Sequence, residues 1–548
     1  MFIMSLGEPP ITQQKQSPPR AKKQILKNLF NKGQIAGIRV LGRRRKQEGY
    51  YNRQMDNQQR LDSQNGDNLS ERICSVKIKD DGGEEEHSNP AADEDAPSKP
   101  SRTRSRSRSK LRAGYEEAND LFDDGKYSQA YKKFAIVFDG RKSSLGPDHV
   151  DTLEARNKMA LALDADEKYV EAFKMYSEVY LGRKKVLGED DPDTIQTQHD
   201  MAAVRANQQK YDLAVKLFEE VYAKRRAVLG KNHPNTLMTR HELASALDDH
   251  GKRKEAGKIY KKVYKSRQEV LGEEAAETLD TGHELASNLE DMDKHDEALQ
   301  LYEKVWQGRT RTLGEEDPNT LETRHEMAGV LHSMEKYDES LKVYEEVVAL
   351  RVKVLGEDDC DTLESQHEMG MVLAEYGKPQ EALEILEKVY QQRREASGAH
   401  NDETLETGHE LGCVMKTLGK FKEGLQMLKK IHSGRRQELG DDDPDTLDTA
   451  FEIGDMHLLE KRYGEAVKIL QDVYKARKRV LGKDDVETLD CGHKLGMALS
   501  GQGKSKDATK IFTEVYELRK STLGEDNKDT LETLAMMGGN KQARKQSS

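Results

Sequence analysis

Six histidines stand at one unbroken spacing: His199, His241, His283, His325, His367 and His409. A seventh, His493, shares their phase, while Asn157, Phe451 and Ala535 occupy it elsewhere. An imidazole can ligate a metal, hydrogen-bond through either nitrogen, or titrate near neutral pH. Metal binding fails on geometry. Zn–N bonds are about 2 Å long, whereas equivalent helices in neighbouring layers sit about 8–10 Å apart. The segments His-Glu-Leu-Ala-Ser from His241 and His-Glu-Met-Ala-Gly from His325 also lack the second histidine that a zinc-protease helix carries four positions on. What remains is hydrogen bonding, either between adjacent structural units or towards a partner.

Arginine holds a second phase without exception: Arg141, Arg183, Arg225, Arg267, Arg309, Arg351, Arg393, Arg435, Arg477 and Arg519. Each precedes a Leu-Gly-like step by four residues. A guanidinium fork there can hold the acidic loop or the end of its own helix through several hydrogen bonds, so a structural role is expected. Residues 500–505, Ser-Gly-Gln-Gly-Lys-Ser, imitate a phosphate loop, but Ala498 stands where its first glycine belongs and no strand precedes it. No nucleophile lies beside a base. The chain is therefore expected to be non-catalytic, with no cofactor and no metal.

These residues are positioned by a repeat. Leu145, Leu187, Leu229, Leu271, Leu313, Leu355, Leu439, Leu481 and Leu523 are each followed by Gly, and Ser397-Gly398 shares their phase. Neighbouring steps are 42 residues apart, and Thr-Leu or Thr-Ile follows each after seven residues. A period of this length specifies an array whose units bury their apolar faces only against their neighbours. In the unit from Leu321, the apolar positions Leu321, Met327, Ala328 and Leu331 mark one helix. A break follows at Glu335-Lys336-Tyr337, where sister units carry Gly125, Gly251, Gly377, Gly419 or Gly503. A second helix runs through Leu341, Tyr344, Val347 and Val348 to the Leu-Gly step, where glycine permits a left-handed cap. Asp191-Pro192, Asp317-Pro318 and Asp443-Pro444 suit the N-cap and first turn of the next helix. Ten helix pairs are predicted, from 111–144 to 489–522, with a capping helix near 529–545. The first pair carries Glu117 where later units have Leu or Met, as befits a terminal unit.

The steps Leu243-Ala244, Gly125-Lys126-Tyr127 and Glu297-Ala298 resemble the tetratricopeptide repeat. The 42-residue length and the Leu-Gly-acidic-Asp-Pro-x-Thr-Leu link are similar to kinesin light chain repeats in particular. The resemblance covers about residues 111–540. It implies an all-α, right-handed superhelical solenoid with a concave groove that holds an extended partner segment. In that family the histidine phase carries asparagines that hold a peptide backbone. The resemblance thus makes His199, His241, His283, His325, His367 and His409 peptide-binding candidates. It adds the groove-facing acids Asp248, Asp249, Asp280, Glu290 and Asp291, which suit a basic peptide. Kinesin light chains carry a heptad coiled coil before their repeats, and residues 1–110 show no sustained heptads.

Charge divides the chain at the same place. Residues 1–110 carry net +8 and the remainder net −19. The first 110 residues are rich in Gln, Ser, Pro and charge, a composition expected to stay disordered. They contain a short amphipathic stretch at 21–40, a basic cluster Arg43–Lys46, an acidic stretch Asp80–Asp95 and the Arg-Ser tract 101–110. The tract suggests a nuclear RNA-processing scaffold as the alternative function, switched by phosphorylation. The tail itself is a candidate intramolecular occupant of the acidic groove. Cys74, Cys360, Cys413 and Cys491 show no metal or disulfide spacing. No apolar run approaches the ~20 residues of a membrane span, and no secretory leader is evident. The expected place is the cytoplasm, or the nucleus on the alternative. The expected partners are proteins, not nucleic acid or membrane.

Overall fold

The computed structural model describes the backbone of residues 102–546 and the side chains of 109–538. The stretch at 21–40, the cluster Arg43–Lys46 and the acidic stretch lie outside the described residues. Twenty-one helices run through these residues, and no strand occurs among them. Ten pairs follow one another, a first helix A and a second helix B. They are α1 (Arg102–Asp123) with α2 (Tyr127–Leu145), α3 (Val150–Ala165) with α4 (Tyr169–Val186), α5 (Pro192–Asn207) with α6 (Tyr211–Leu229), α7 (Pro234–Asp249) with α8 (Arg253–Leu271), and α9 (Ala276–Glu290) with α10 (His295–Leu313). Then come α11 (Pro318–Ser333) with α12 (Tyr337–Val354), α13 (Cys360–Glu375) with α14 (Pro379–Ala396), α15 (Asp402–Thr417) with α16 (Phe421–Glu438), α17 (Pro444–Leu459) with α18 (Tyr463–Val480), and α19 (Val486–Gly501) with α20 (Ser505–Thr522). The last helix, α21 (Lys528–Gln546), closes the array. The backbone of helix α1 starts at Arg102, eight residues before the boundary expected at 110. Once the packed end of α1 is nucleated, adding Arg and Ser turns costs little.

Two left-handed positions punctuate every unit. Glycines of the Leu-Gly-like step, from Gly146 to Gly524, hold φ between 90° and 106°. The A–B turn uses the same half of conformational space, with Gly at five positions. Glu167, Gln209, Asp293, Glu335 and Lys461 fill the other five at φ 57–61°. Only the first position demands glycine, because its φ near 100° lies beyond what a Cβ tolerates. Helix starts are capped as read: Asp191, Asp443 and Asp485 accept the backbone N–H two residues on. His149 and His233 take the same role through Nδ1.

The helices divide into two compact units, residues 102–323 and 324–546. Consecutive helices pack on one another from α1 to α10 and from α12 to α21. The core repeats a small–large pair. Ala160, Ala202, Ala244 and Ala286 face the buried rings of Tyr176, Phe218, Tyr260 and Tyr302. In the C-terminal unit the pair Ala328 and Tyr344 keeps this pattern, after which the phase changes to Gly370, Gly412, Gly454 and Gly496, opposite Leu386, Leu428, Leu470 and Phe512. A Cβ at Gly412 would come within 2.6 Å of Leu428. Leucine accompanies glycine at three of these four positions, and Gly496 packs as closely on the ring of Phe512, 2.6 Å from where a Cβ would lie.

Candidate functional site

The arginine phase explains how one unit is joined to the next. All ten arginines donate Nη1 to a first-turn carbonyl ten residues on, from Arg141 with Asp151 at 2.7 Å to Arg519 with Asp529 at 2.9 Å. The acceptor is the next A helix, neither the loop nor the arginine's own helix end. Eight also donate to a buried hydroxyl fourteen residues on: Thr197, Thr239, Thr281, Thr323, Ser365, Thr407, Thr449 or Thr533. Nη2 reaches back to helix A of the same pair. Arg309 holds Asp280 at 2.6 Å, Arg393 holds Glu364 at 2.5 Å and Arg477 holds Asp448 at 2.5 Å. Asp280 is thus committed to a joint.

The histidines sit in the same joint. Nδ1 of His325, His367, His409 and His493 hydrogen-bonds Ser365, Thr407, Thr449 and Thr533 at 3.1, 3.4, 3.3 and 3.1 Å. His199, His325, His367 and His493 are buried, and His241, His283 and His409 are half-buried. Their rings meet the aromatic of helix B edge-on: Phe218, Tyr260, Tyr302, Tyr344 and Phe512 lie 5.3–5.6 Å from His199, His241, His283, His325 and His493. Burial and the nearby guanidinium lower the imidazole pKa to about 3 at His199 and His493 and about 4 at His241, so these rings are neutral at pH 7.

At a third joint Asn157 replaces histidine while Thr197 is kept, but two other exceptions share one rule. Where Phe451 replaces histidine, Cys491 replaces the hydroxyl and Arg477 lies 4.8 Å over the phenyl ring. At the first joint Tyr115 and Ala155 stand in those phases, and Arg141 lies 4.6 Å over the tyrosine. Histidine and hydroxyl are exchanged together for an aromatic ring under the arginine, which is how a packing joint varies.

One residue after the histidine phase stands a further set that inspection of the histidines alone passed over. Asp200, Glu242 and Glu284 belong to the N-terminal unit; Glu326, Glu368, Glu410 and Glu452 belong to the C-terminal unit. Lys158 and Lys494 occupy the same phase before and after. The available signal was acid at one phase in seven consecutive units. A helices of successive pairs touch: α5 meets α7 and α7 meets α9, and α13, α15, α17, α19 and α21 meet in turn. No pair of B helices is packed as closely within either unit, so A helices line the inner side of each. Inner side chains bridge them: Asn207 bonds Asp164 at 3.3 Å and Asn288 bonds Asp248 at 2.9 Å.

In the N-terminal unit, Asp164, Asp200, Glu242 and Asp248 form no ion pair among the described residues. Gln196 bonds Asp200 at 2.7 Å. Burial pushes the carboxyls of Asp164 and Asp200 up to about 6 and that of Asp248 to about 7, and raises that of Glu242. Asp249, Glu290 and Asp291 stand at the same end of their helices, with Arg253 3.5 Å from Asp291. In the C-terminal unit, burial and Glu406 push Glu410 up to about 8. Lys416 there bonds Glu452 and lies 3.2 Å from Asp455, which also holds Lys494 at 2.7 Å. Burial would raise the Asp455 pKa, but the two ammonium groups outweigh it and hold it at about 2. His332 and Glu375 lie 3.0 Å apart, both buried side chains. Half-buried carboxylates in file can bind ammonium and guanidinium groups. Among the described residues no helix is long and apolar enough to cross a membrane.

A family model described as tetratricopeptide repeat matches seven times, over residues 151–221, 193–269, 274–353, 322–395, 361–437, 403–479 and 445–521. No curated protein matches the chain. Among solved structures, the chain is similar to the Podosopora anserina putative kinesin light chain with nearly identical TPR-like repeats. That match has 28% identity over 37% of this chain and 97% of that one, with a TM-score of 0.34. BtubC (BKLC) from P. vanneervenii gives 19% identity, 43% and 94% coverage and a TM-score of 0.38. The apo quorum sensor NprR from B. thuringiensis gives 15%, 67% and 99%, and 0.46.

Proposed function

Since the chain belongs to the tetratricopeptide repeat family, a family of protein-interaction scaffolds, we propose that it is a non-catalytic adaptor whose A-helix face holds an extended, basic segment of a partner protein. The carrying observation is the acid one residue past the histidine phase in seven consecutive units, half-buried and, among the described residues, without an ion pair at Asp200 and Glu242. Equivalent helices stand about 8–10 Å apart, and a polyproline II chain has three residues per turn rising about 3.1 Å each, so a basic residue at every third position meets one carboxylate per unit. Asp248, Asp249, Glu290 and Asp291 extend the acidic lining, while the histidines hold the register of the helices behind it. The chain's own cluster Arg43–Lys46 has the same chemistry and competes as an intramolecular occupant.

The test is fluorescence anisotropy with a basic, an acidic and a neutral peptide of equal length. Preference for the basic peptide, weakened at least about tenfold by Asp200→Asn with Glu242→Gln at an unchanged melting temperature, is the expected result. Equal binding of all three peptides would overturn the reading.

A further inference from the structure

Lys416 sits where no other unit has a cation. Its phase reads Asp164, Ala206, Asp248, Glu290, His332, Ala374, Lys416, Leu458 and Ser500 along the chain. Only 6% of its side chain is exposed, and its ammonium is seated between Glu452 and Asp455. Asp455 is equally unusual: its phase reads Leu161, Ala203, Ser245, Ser287, Gly329, Met371, Cys413, Asp455 and Met497. Its side chain is 3% exposed, and Lys494 takes its second oxygen. The protein therefore shows a cation bound by the acidic face, and that cation is its own. A buried ammonium held by two carboxylates does not yield its place to a solvated guanidinium from outside, because breaking the pair strands buried charge. The N-terminal unit has the mirror situation. The positions equivalent to Lys416 and Asp455 relative to Glu242 are Ala206 and Ser245, and neither carries charge.

We propose that Lys416, with Asp455, is the specificity-determining clasp that closes the acidic face of the C-terminal unit to basic segments and leaves the N-terminal unit as the site that takes them. This rests on the reading given under Proposed function. It implies a partner whose basic stretch lies on residues 158–290.

The experiment is calorimetric titration of the full chain with nona-arginine at pH 8 and low salt. The wild-type chain should bind one equivalent. Replacing Lys416→Ala with Asp455→Ser installs residues that sister units already carry at these phases (Ala206 and Ala374; Ser245 and Ser287), and should add a second equivalent. Lys416→Arg should still bind one. The converse variant moves the clasp: Ala206→Lys with Ser245→Asp should weaken the wild-type site at least about tenfold, even if the first variant fails to fold. Wild-type stoichiometry of two, or binding unaltered in both variants, overturns the inference and leaves the basic-segment reading standing. No binding by the wild-type chain overturns the basic-segment reading itself. A site gained only on removing Lys416 would then still support the clasp.

Discussion

The N-terminal and C-terminal units share one repeat but satisfy it differently. In the N-terminal unit, alanine packs under aromatic rings and Asp200, Glu242 and Asp248 carry their charge without a cation. In the C-terminal unit, glycine packs under leucine at Gly370, Gly412 and Gly454, and Lys416 and Lys494 neutralise Glu452 and Asp455. Behind both faces every arginine bonds a first-turn carbonyl, whereas the histidine–hydroxyl bond is made by His325, His367, His409 and His493 of the C-terminal unit. The difference teaches that joints and inner face vary independently. The first are constrained in every unit, whereas the second is free to be written for a partner.

Removing a joint should have the largest effect. Arg393 is 2% exposed and bonds Glu364, the Glu403 carbonyl and Thr407. Arg393→Ala should destabilise by about 3 kcal/mol in denaturant unfolding, because it leaves buried acceptors without donors. The equivalent Arg225→Ala in the N-terminal unit should cost a similar amount, and a marked inequality would show that the joints are not alike.

Packing comes next. Gly412→Ala drives a methyl into Leu428 and should cost about 1–3 kcal/mol. Ala244→Gly in the N-terminal unit should cost only about 1 kcal/mol, mostly as helix propensity. If both cost the same, the small–large exchange between units is not a matter of fit.

A smaller effect tests the rule of the exceptions. His409→Phe alone and Thr449→Cys alone should each destabilise, whereas the pair, copying Phe451 and Cys491, should recover about 0.5–2 kcal/mol of the summed loss. Strict additivity would count against a shared joint.

The smallest is a pH effect confined to the open acids. A cation needs charged carboxylates, and burial sets Asp200 near 6 and Asp248 near 7. Affinity for nona-arginine should therefore be greatest near pH 8 and decline as pH falls through 7 and 6. For stability the sign is opposite. A carboxyl whose folded pKa is raised contributes stability at low pH that is lost as pH rises through that pKa. Lowering pH from 8 to 6.5 should weaken binding without destabilising the N-terminal unit.

The fold was legible because a 42-residue period without insertions leaves one register. The Leu-Gly step, the turn before Tyr337 and the Asp-Pro start each mark a backbone event that few residues can perform. Helix α1 was shortened because alternating Arg and Ser has no apolar face to read. The site was less legible. Periodicity showed that histidine and arginine recur, but not that they meet one hydroxyl 40 and 14 residues away. Asp280 looks like Asp248 in sequence, yet the first is held by Arg309 and the second by Asn288. Lys416 is one lysine among many until its phase is compared with Asp248 and Ala374.

The central claim is that a basic segment lies on the open acids of the N-terminal unit. Carbodiimide coupling of a lysine nonapeptide to the full chain, mapped by mass spectrometry, tests it most directly, since it joins only touching carboxylates and amines. Crosslinks should concentrate on Asp200, Glu242 and Asp248 and vanish in high salt. Crosslinks spread over the acidic loops around Glu189 and Asp442, or concentrated on Glu452, would contradict it.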